Sequence, residues 1–419
     1  MSALSSRPEL NPEIKSFFSS VAAKIKDGAS KMAEKTSGFP IIALIAIVLA
    51  VIGLMIWLGK QTIFFETPMN IQRVTKNTTQ AQARYDMDNP KRVHLRDYLT
   101  ALKRQGVPDA HLALTNFYIS TVNAAGVFLP GYDSTVSPMA VRAAVLAGAR
   151  CFVFDVWPDV SPGANFGPSI QVVEAGSSWR RITLNSAPLA PLLKVLITET
   201  MEVDRPGNTD PVFIYLRFRG KQRSSTYDGT LNALRATIEQ YRLESPFNAC
   251  RSQDRVFAMP ITSLFKKVVV ISNTNAGIHP LSDYINIGPK AGIKQDWGIG
   301  EARGLSSDTL ITAQRNIQQN LTFVAPLSEE PSADTNSWSI KESQDIGIQF
   351  VAMNLWDNND NLKAYQAPDM FGRQSFKIKP VPLRHIIEIL ANPLYPENPH
   401  WGTGPTSGSP TIPPAIKMP

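Results

Sequence analysis

A short run of apolar side chains, Cys151–Trp157, constrains the fold of this chain more than any other stretch. It contains a single carboxylate, that of Asp155. Apolar runs of this length are typical of strands buried on both faces, as in parallel sheets and barrels. Because an ionised carboxylate is costly to bury alone, we expect Asp155 to be paired. We also expect it near the carboxyl end of the strand, where barrel enzymes place their chemistry.

Strand and helix patterns alternate along the chain after Leu112. The apolar runs that predict strands cover residues 117–119, 151–157, 170–173, 212–218, 267–272 and 347–355. Helical periodicity falls between these runs, at residues 138–148, 190–201, 230–241 and 305–320. Strands that alternate with helices predict an α/β fold with a parallel sheet.

A second stretch, Phe39–Gly59, carries no charged residue and is long enough to cross a bilayer as one helix. A cleaved signal peptide or a buried core helix are the alternatives. A signal peptide begins within the first few residues and ends at small side chains, whereas this stretch starts late and ends in Trp-Leu-Gly-Lys. The sequence therefore favours a retained single-pass membrane anchor.

The residues before this stretch, 1–38, form a short arm with apolar side chains at helical spacing and lysines among them. That combination predicts an amphipathic helix on an anionic membrane surface, and the alternative is a solvated or disordered arm. Four lysines precede the predicted span, at positions 24, 26, 31 and 35, and fewer basic residues follow it closely. The positive-inside rule then places the N-terminus in the cytoplasm, although the sequence does not identify the membrane.

The remaining boundaries follow from composition. Residues 60–111 are polar and irregular, with one helical pattern at 93–105, and we interpret them as a spacer. Residues 112–392 hold the alternating elements, and 393–419 form a tail rich in Pro, Gly, Ser and Thr that cannot build a core. The chain has a formal net charge of +7, but its basic residues are not interleaved with aromatic ones, so we expect no nucleic-acid partner.

Two groups of residues in the globular part keep a recognisable spacing. The first is Gly148, Arg150, Cys151, Asp155 and Trp157. The second is Gln349, Val351, Ala352, Asn354, Lys379, Pro380, Leu383 and Arg384. These groups resemble the X and Y regions of the catalytic barrel of eukaryotic phosphoinositide-specific phospholipase C. The resemblance covers roughly residues 112–390 and implies a phospholipase-C-like TIM (β/α) barrel. Such a barrel would follow the amphipathic arm and the single transmembrane helix.

The same resemblance implies a degenerate active site. The family cleaves a phosphodiester with two histidines and a calcium ion, and the histidine positions are occupied here by Asn123 and Ala175. Among the family's calcium ligands only Asp155 is kept, and Arg217 stands where a glutamate is expected. We therefore expect no bound metal, no other cofactor and no family activity.

The resemblance and these departures together predict a membrane-anchored, catalytically inactive protein with a structural or adaptor role and protein partners. In one interpretation Arg217 pairs with Asp155, so that a salt bridge replaces the metal. In another, a phosphate-bearing lipid headgroup binds without being cut; its candidate ligands are Asp155, Arg217, Arg219, Lys221 and Arg373. A third is a metal-independent phosphodiesterase built on Asp155 and Arg217.

Overall fold

The computed structural model describes residues 48, 51–52, 93–128, 135–158, 168–170, 183, 186–204, 207–220, 222–244, 256–274, 276–289, 296–297, 304–324, 340–355 and 359–386. The chain divides into two compact units, Met1–Ile63 and Phe64–Pro419. In the first unit, Val48, Val51 and Ile52 are helical. Three predicted segments lie outside the described residues and stay predictions: the rest of the membrane span, the arm 1–38 and the tail 393–419. No helix in the ranges given above is long and apolar enough to cross a bilayer.

Within the described residues, the second unit holds a mixed sheet of ten strands and a separate antiparallel pair, formed by the second and third strands. Its strands are β1 (Phe117–Val122), β2 (Val127–Phe128), β3 (Thr135–Val136), β4 (Cys151–Trp157), β5 (Ser169–Ile170), β6 (Ala187–Pro188), β7 (Val212–Phe218), β8 (Val268–Ser272), β9 (Asp296–Trp297), β10 (Phe323–Val324), β11 (Phe350–Met353) and β12 (Phe376–Ile378). Its helices are α1 (Leu95–Arg104), α2 (Pro138–Leu146), α3 (Leu189–Ile197), α4 (Ser224–Ile238), α5 (Ser307–Gln319), α6 (Ile340–Ile346) and α7 (Asp360–Tyr365). The predicted alternation of strands and helices is confirmed, and the strands at Cys151–Trp157 and Val212–Phe218 have the predicted bounds.

Seven of these strands pair in parallel, in the order β9-β10-β11-β1-β4-β7-β8. Three more lie antiparallel: β12 on the start of β1, β5 on the end of β4, and β6 on β5. Within the described residues the two ends of the parallel order, β8 and β9, are not paired, although an isolated bridge joins Ile271 of β8 to Ile287. The parallel α/β sheet is thus confirmed, but the described residues do not show the closed barrel that we expected.

Side chains on the two faces of the sheet enter different cores. One face of β1, β4, β7, β8, β10 and β11 fills the interior; it carries Phe117, Ile119, Cys151, Val153, Phe213, Tyr215, Val269, Ile271, Phe323, Phe350 and Ala352. The alternate residues, such as Phe152 and Ile214, pack against helices α2, α3 and α4. Buried residues of α5, α6 and α7 pack against Tyr118, Val351 and Met353. Because side chains alternate along a strand, this division fixes which residues reach the interior at the strand ends.

Helix α1, which the sequence placed in a spacer, belongs to the same interior core as the strands. Its buried residues Leu95, Leu99 and Leu102 cluster with Phe117 and Phe213. The helix therefore covers the end of the sheet where the parallel strands begin. The predicted spacer before Val93 lies outside the described residues.

A buried polar group joins the start of α1 to the strands, and we call it the helix latch: His94, Arg150, Gly207 and Asp210. The amide N–H of Leu95 donates to Asp210 Oδ1 at 3.3 Å, and the N–H of Gly207 donates to His94 Nδ1 at 3.0 Å. The Arg150 side chain, 3% exposed, donates through Nη2 to the Gly207 carbonyl at 3.4 Å and lies 3.9 Å from the Asp210 carboxylate. Asp210 therefore caps a helix about 115 residues earlier in the chain.

A second polar contact joins two distant parts of the chain, at the end of the sheet where the parallel strands begin. The Asn116 amide donates to the carbonyl of His385 at 2.9 Å and accepts from its N–H at 2.6 Å. Next to it, the Gln349 side chain donates to the carbonyls of Ile317 and Asn320 and accepts from the Thr322 N–H at 3.0 Å. Gln349 thus serves to satisfy backbone groups in the core.

Candidate functional site

The carboxyl ends of β4 and β7 carry the polar residues singled out in the sequence. Asp155 of β4 lies opposite Arg217 of β7 in the parallel register. Both follow interior residues at alternate positions, Val153 on β4 and Tyr215 on β7, and so they share the interior face. Asn123 comes directly after β1, also in phase with the interior residue Ile119. Three neighbouring strands therefore bring Asn123, Asp155 and Arg217 together above the apolar interior.

The three side chains are hydrogen-bonded to one another. Arg217 donates through Nη2 to Asp155 Oδ2 at 2.9 Å and to Asn123 Oδ1 at 2.9 Å. The side chain of Asp155 is 4% exposed and that of Arg217 is 7% exposed. The predicted pairing of Arg217 with Asp155 is therefore present, and it is buried.

A second guanidinium reaches the same carboxylate. Arg219 donates through Nε to Asp155 Oδ1 at 2.9 Å, and its side chain is 26% exposed. Both carboxylate oxygens are thus engaged, each by a different arginine. Burial alone would raise the pKa of Asp155, but the charges and hydrogen bonds of Arg217 and Arg219 outweigh it and hold that pKa below its ordinary value.

Counted by themselves, Asp155, Arg217 and Arg219 carry one negative and two positive formal charges. The Nε atom of Arg217 is buried and has no hydrogen-bond partner among the described residues, and the same is true of Trp157 Nε1. We define these four residues, Asn123, Asp155, Arg217 and Arg219, as the arginine–aspartate cluster. In the described parts of the chain, no three His, Cys, Asp or Glu side chains converge to hold a metal ion.

Beneath the cluster, aromatic rings fill the interior. The rings of Phe323 and Phe350 are stacked with centroids 4.3 Å apart, and Tyr215 lies 4.4 Å from Phe323. Phe213 meets Phe350 edge-on at 5.6 Å. Ring pairs of this kind contribute about 0.5–1.5 kcal/mol beyond their buried area. The cluster therefore lies above packed aromatic rings.

Not every predicted site residue joins the cluster. Ala175 and Lys221 lie outside the described residues, so the roles assigned to them from the sequence stay predictions. Arg373 is exposed, and its carbonyl accepts from the N–H of Val93, next to the helix latch at the opposite end of the strands. The described contacts therefore do not bring Arg373 to the arginine–aspartate cluster.

Sequence reasoning missed one residue that shapes the site. The Asn273 side chain accepts from the N–H of Phe218 at 2.8 Å and donates to the Phe218 carbonyl at 3.0 Å. It thereby fixes the end of β7 between Arg217 and Arg219. An asparagine directly after a predicted strand was a signal that could have identified it.

Comparisons with known proteins bear on the fold. No protein-family model matches the chain, and no curated protein matches it. Among solved structures, it is similar to L. pealei PLC21, with 15% identity and a TM-score of 0.50, over 65% of this chain and 38% of that chain. S. officinalis PLC21 has 13% identity and a TM-score of 0.49, over 66% of this chain and 38% of that chain.

A calcium-dependent phosphoinositol-specific phospholipase C from Pseudomonas sp. has 11% identity and a TM-score of 0.42, over 65% of this chain and 97% of that chain. This chain thus spans 38% of the length of either PLC21 protein. At 15% identity, the likeness to L. pealei PLC21 concerns the arrangement of helices and strands and not the chemistry. The described part of the chain therefore has a mixed α/β fold similar to that of L. pealei PLC21.

Proposed function

We propose that this protein is a membrane-anchored, catalytically inactive phospholipase-C-like barrel with a structural or adaptor role toward protein partners. The observation that carries the proposal is the state of Asp155, whose two oxygens each accept from a different arginine. A carboxylate used in this way contributes a structural ion pair, and calcium would have to displace two guanidinium groups to reach it.

The other positions of the cluster support the same conclusion. Phosphodiester cleavage needs one group to take a proton and another to return it, and each such group contributes about 10²–10⁴-fold in rate. Asn123 stands where the resemblance places one of those groups. A carboxamide cannot act as a general acid or a general base near neutral pH. Its Oδ1 is moreover engaged by Arg217. Asn123 therefore acts as a positioning residue for the arginine.

The expected result of an activity assay follows directly. Full-length protein in detergent micelles is expected to release no inositol phosphate from phosphatidylinositol or its phosphorylated forms, with or without calcium. The measurement compares released water-soluble phosphate with that from a heat-denatured sample. Turnover above that background, abolished by Asp155→Asn, would instead support the metal-independent phosphodiesterase.

A second function, binding of a phosphate-bearing headgroup without cleavage, is favoured by one observation. Arg217 keeps a buried Nε without an acceptor among the described residues, and the cluster has a net positive charge. Guanidinium groups bind phosphate through paired N–H donors. The two functions predict different effects of removing Arg217. The structural role predicts a loss of stability, whereas headgroup binding predicts a loss of ligand affinity.

The anchoring part of the proposal rests on the uncharged stretch Phe39–Gly59. Full-length protein in membranes is expected to remain in the pellet after extraction with alkaline carbonate, because about 20 apolar residues give stable insertion. A matched variant lacking residues 39–59 is expected in the supernatant. Release of the full-length protein by carbonate would show that the stretch is not a membrane anchor.

A further inference from the structure

The outward face of helix α1, with the turns beside it, carries a group of exposed basic side chains that the proposed function does not use. We call it the basic end surface, and its members are Arg96, Lys103, Arg104, Lys266 and Arg373. All five are exposed, whereas Leu95, Leu99 and Leu102 on the other side of α1 are buried in the interior core. The surface therefore lies at the N-terminal end of the strands, opposite the arginine–aspartate cluster.

Specific contacts place the members side by side. The Arg96 guanidinium lies 5.5 Å from the ring of Phe265, the residue before Lys266. The N–H of Lys266 donates at 2.8 Å to the carbonyl of Thr209, three residues before β7 begins. The Arg373 carbonyl accepts from the N–H of Val93, two residues before α1 begins, at 2.9 Å. Two other parts of the chain, which carry Lys266 and Arg373, thus lie beside α1 and add their positive charges to it.

Carboxylates on the same helix and turn do not cancel this charge. The helix carries one acidic residue, Asp97, against Arg96, Lys103 and Arg104. Asp109, in the turn that follows, pairs with Lys103 at 2.7 Å. Partly buried basic side chains flank the surface at Lys267, Lys377 and Arg384, and Tyr98 of α1 accepts from the N–H of Ile378 beside them. The surface is therefore positive after its internal ion pair is counted.

The chain that precedes this surface leads from the predicted membrane span. Residues 60–92 separate Gly59 from Val93, and a segment of that length reaches at most about 120 Å when fully extended. A surface held within that distance of a bilayer meets anionic headgroups at high local concentration. Basic side chains near such a bilayer are attracted to it over about one Debye length.

The geometry points to an anionic lipid surface as the partner of the basic end surface. The N-terminal ends of the parallel strands then face the bilayer. The carboxyl ends of β4 and β7, with the arginine–aspartate cluster, then face away from the lipid, toward soluble partners. This inference rests on the proposed membrane anchoring and adds an orientation to it, and it requires anionic lipid in the leaflet opposite the N-terminal arm.

The test uses full-length protein inserted in vesicles, with a fluorophore on Thr100→Cys of α1 or on Ser225→Cys of α4, in a Cys250→Ser background. Both labelled positions are exposed, and they lie at opposite ends of the strands. Energy transfer to a headgroup dye is compared between phosphatidylcholine vesicles and vesicles that also contain phosphatidylserine. We expect phosphatidylserine to increase transfer from position 100 only, and high salt to reverse the increase.

Charge reversal gives the matched comparison. The variant Arg96→Glu/Arg104→Glu/Lys266→Glu is expected to lose the response to phosphatidylserine. The control Lys194→Glu/Arg315→Glu/Lys341→Glu changes the net charge equally, at exposed positions on α3, α5 and α6, and is expected to keep it. Equal melting temperatures establish that both variants are folded.

Three results would overturn the orientation: no response at position 100, an equal response at position 225, or equal loss in both charge-reversal variants. Salt-sensitive binding of duplex DNA that only the first variant loses, without a response to phosphatidylserine, would assign the surface to nucleic acid. Failure of the anchor is seen separately, since the protein would not float with phosphatidylcholine vesicles. In that case the flotation assay is repeated with phosphatidylserine vesicles. If the wild type floats with them and the first variant does not, the basic end surface still binds anionic lipid. If neither protein floats, the proposal is overturned.

Discussion

Asp155→Ala is expected to lower the free energy of unfolding by about 3–5 kcal/mol, because it leaves the buried Arg217 guanidinium without its counter-ion. Arg217→Ala is expected to cost less, since Arg219 still donates to the Asp155 carboxylate. The double variant is expected to cost less than the two single losses added together, because neither charge is then left unpaired. Thermal unfolding of the full-length protein in detergent measures all three.

Arg223→Ala is the matched control, since Arg223 is exposed and directly precedes α4, at the same end of the strands. A change within about 0.5 kcal/mol is expected there. If Arg217→Ala leaves the melting temperature unchanged and abolishes binding of inositol phosphates instead, the ion pair is not structural. The headgroup-binding function would then replace the structural one.

The pH dependence of the same pair has a defined sign. The folded protein holds the pKa of Asp155 below its ordinary value because the two arginines outweigh the effect of burial. The ionised carboxylate therefore contributes its full stability above the unfolded pKa of about 3.9. That stability is lost only as the pH falls through the folded pKa. The difference between wild type and Asp155→Ala is thus expected to stay constant from neutral pH to about pH 5 and to shrink in stronger acid.

Gly207→Ala is expected to be the most damaging change at the opposite end of the strands. Gly207 has a φ of +89°, and an added Cβ would overlap Arg150 Nη2 and approach the Asp210 carboxylate to 3.1 Å. Left-handed backbone costs a non-glycine residue about 1–2 kcal/mol, and displacing Arg150 would disrupt a buried ion pair. We expect a loss of at least about 3 kcal/mol, measured by thermal unfolding.

Gly106→Ala separates the two causes. Gly106 follows α1 with a similar φ of +81°, but nothing lies within 4 Å of an added Cβ. Its loss is therefore expected to be about 1–2 kcal/mol, from backbone strain alone. Equal losses for the two variants would mean that Arg150 moves freely and that the helix latch does not hold α1 in place.

The sequence predicted the parallel sheet because its central strands are buried on both faces and read as unbroken apolar runs. It predicted the contact of Asp155 with Arg217 because the resemblance assigned both residues to the same site. It could not predict that Arg219 would engage the second oxygen, since an arginine just past a strand end is usually solvated. The sequence also could not predict the position of Arg373 or the burial of α1. Both depend on contacts between distant segments, which leave no periodicity in the local sequence.

The contact of Asn116 with His385 has a consequence for how the protein is made. These residues are 269 positions apart, and β1 pairs with β11 and β12 in the same region. As the chain leaves the ribosome, β1 appears early, while two of the strands that flank it are still untranslated. Folds dominated by such distant contacts form slowly and expose unpaired strand edges while they wait. A premature stop before residue 376 would thus leave β1 without β12 and yield an incomplete, aggregation-prone sheet.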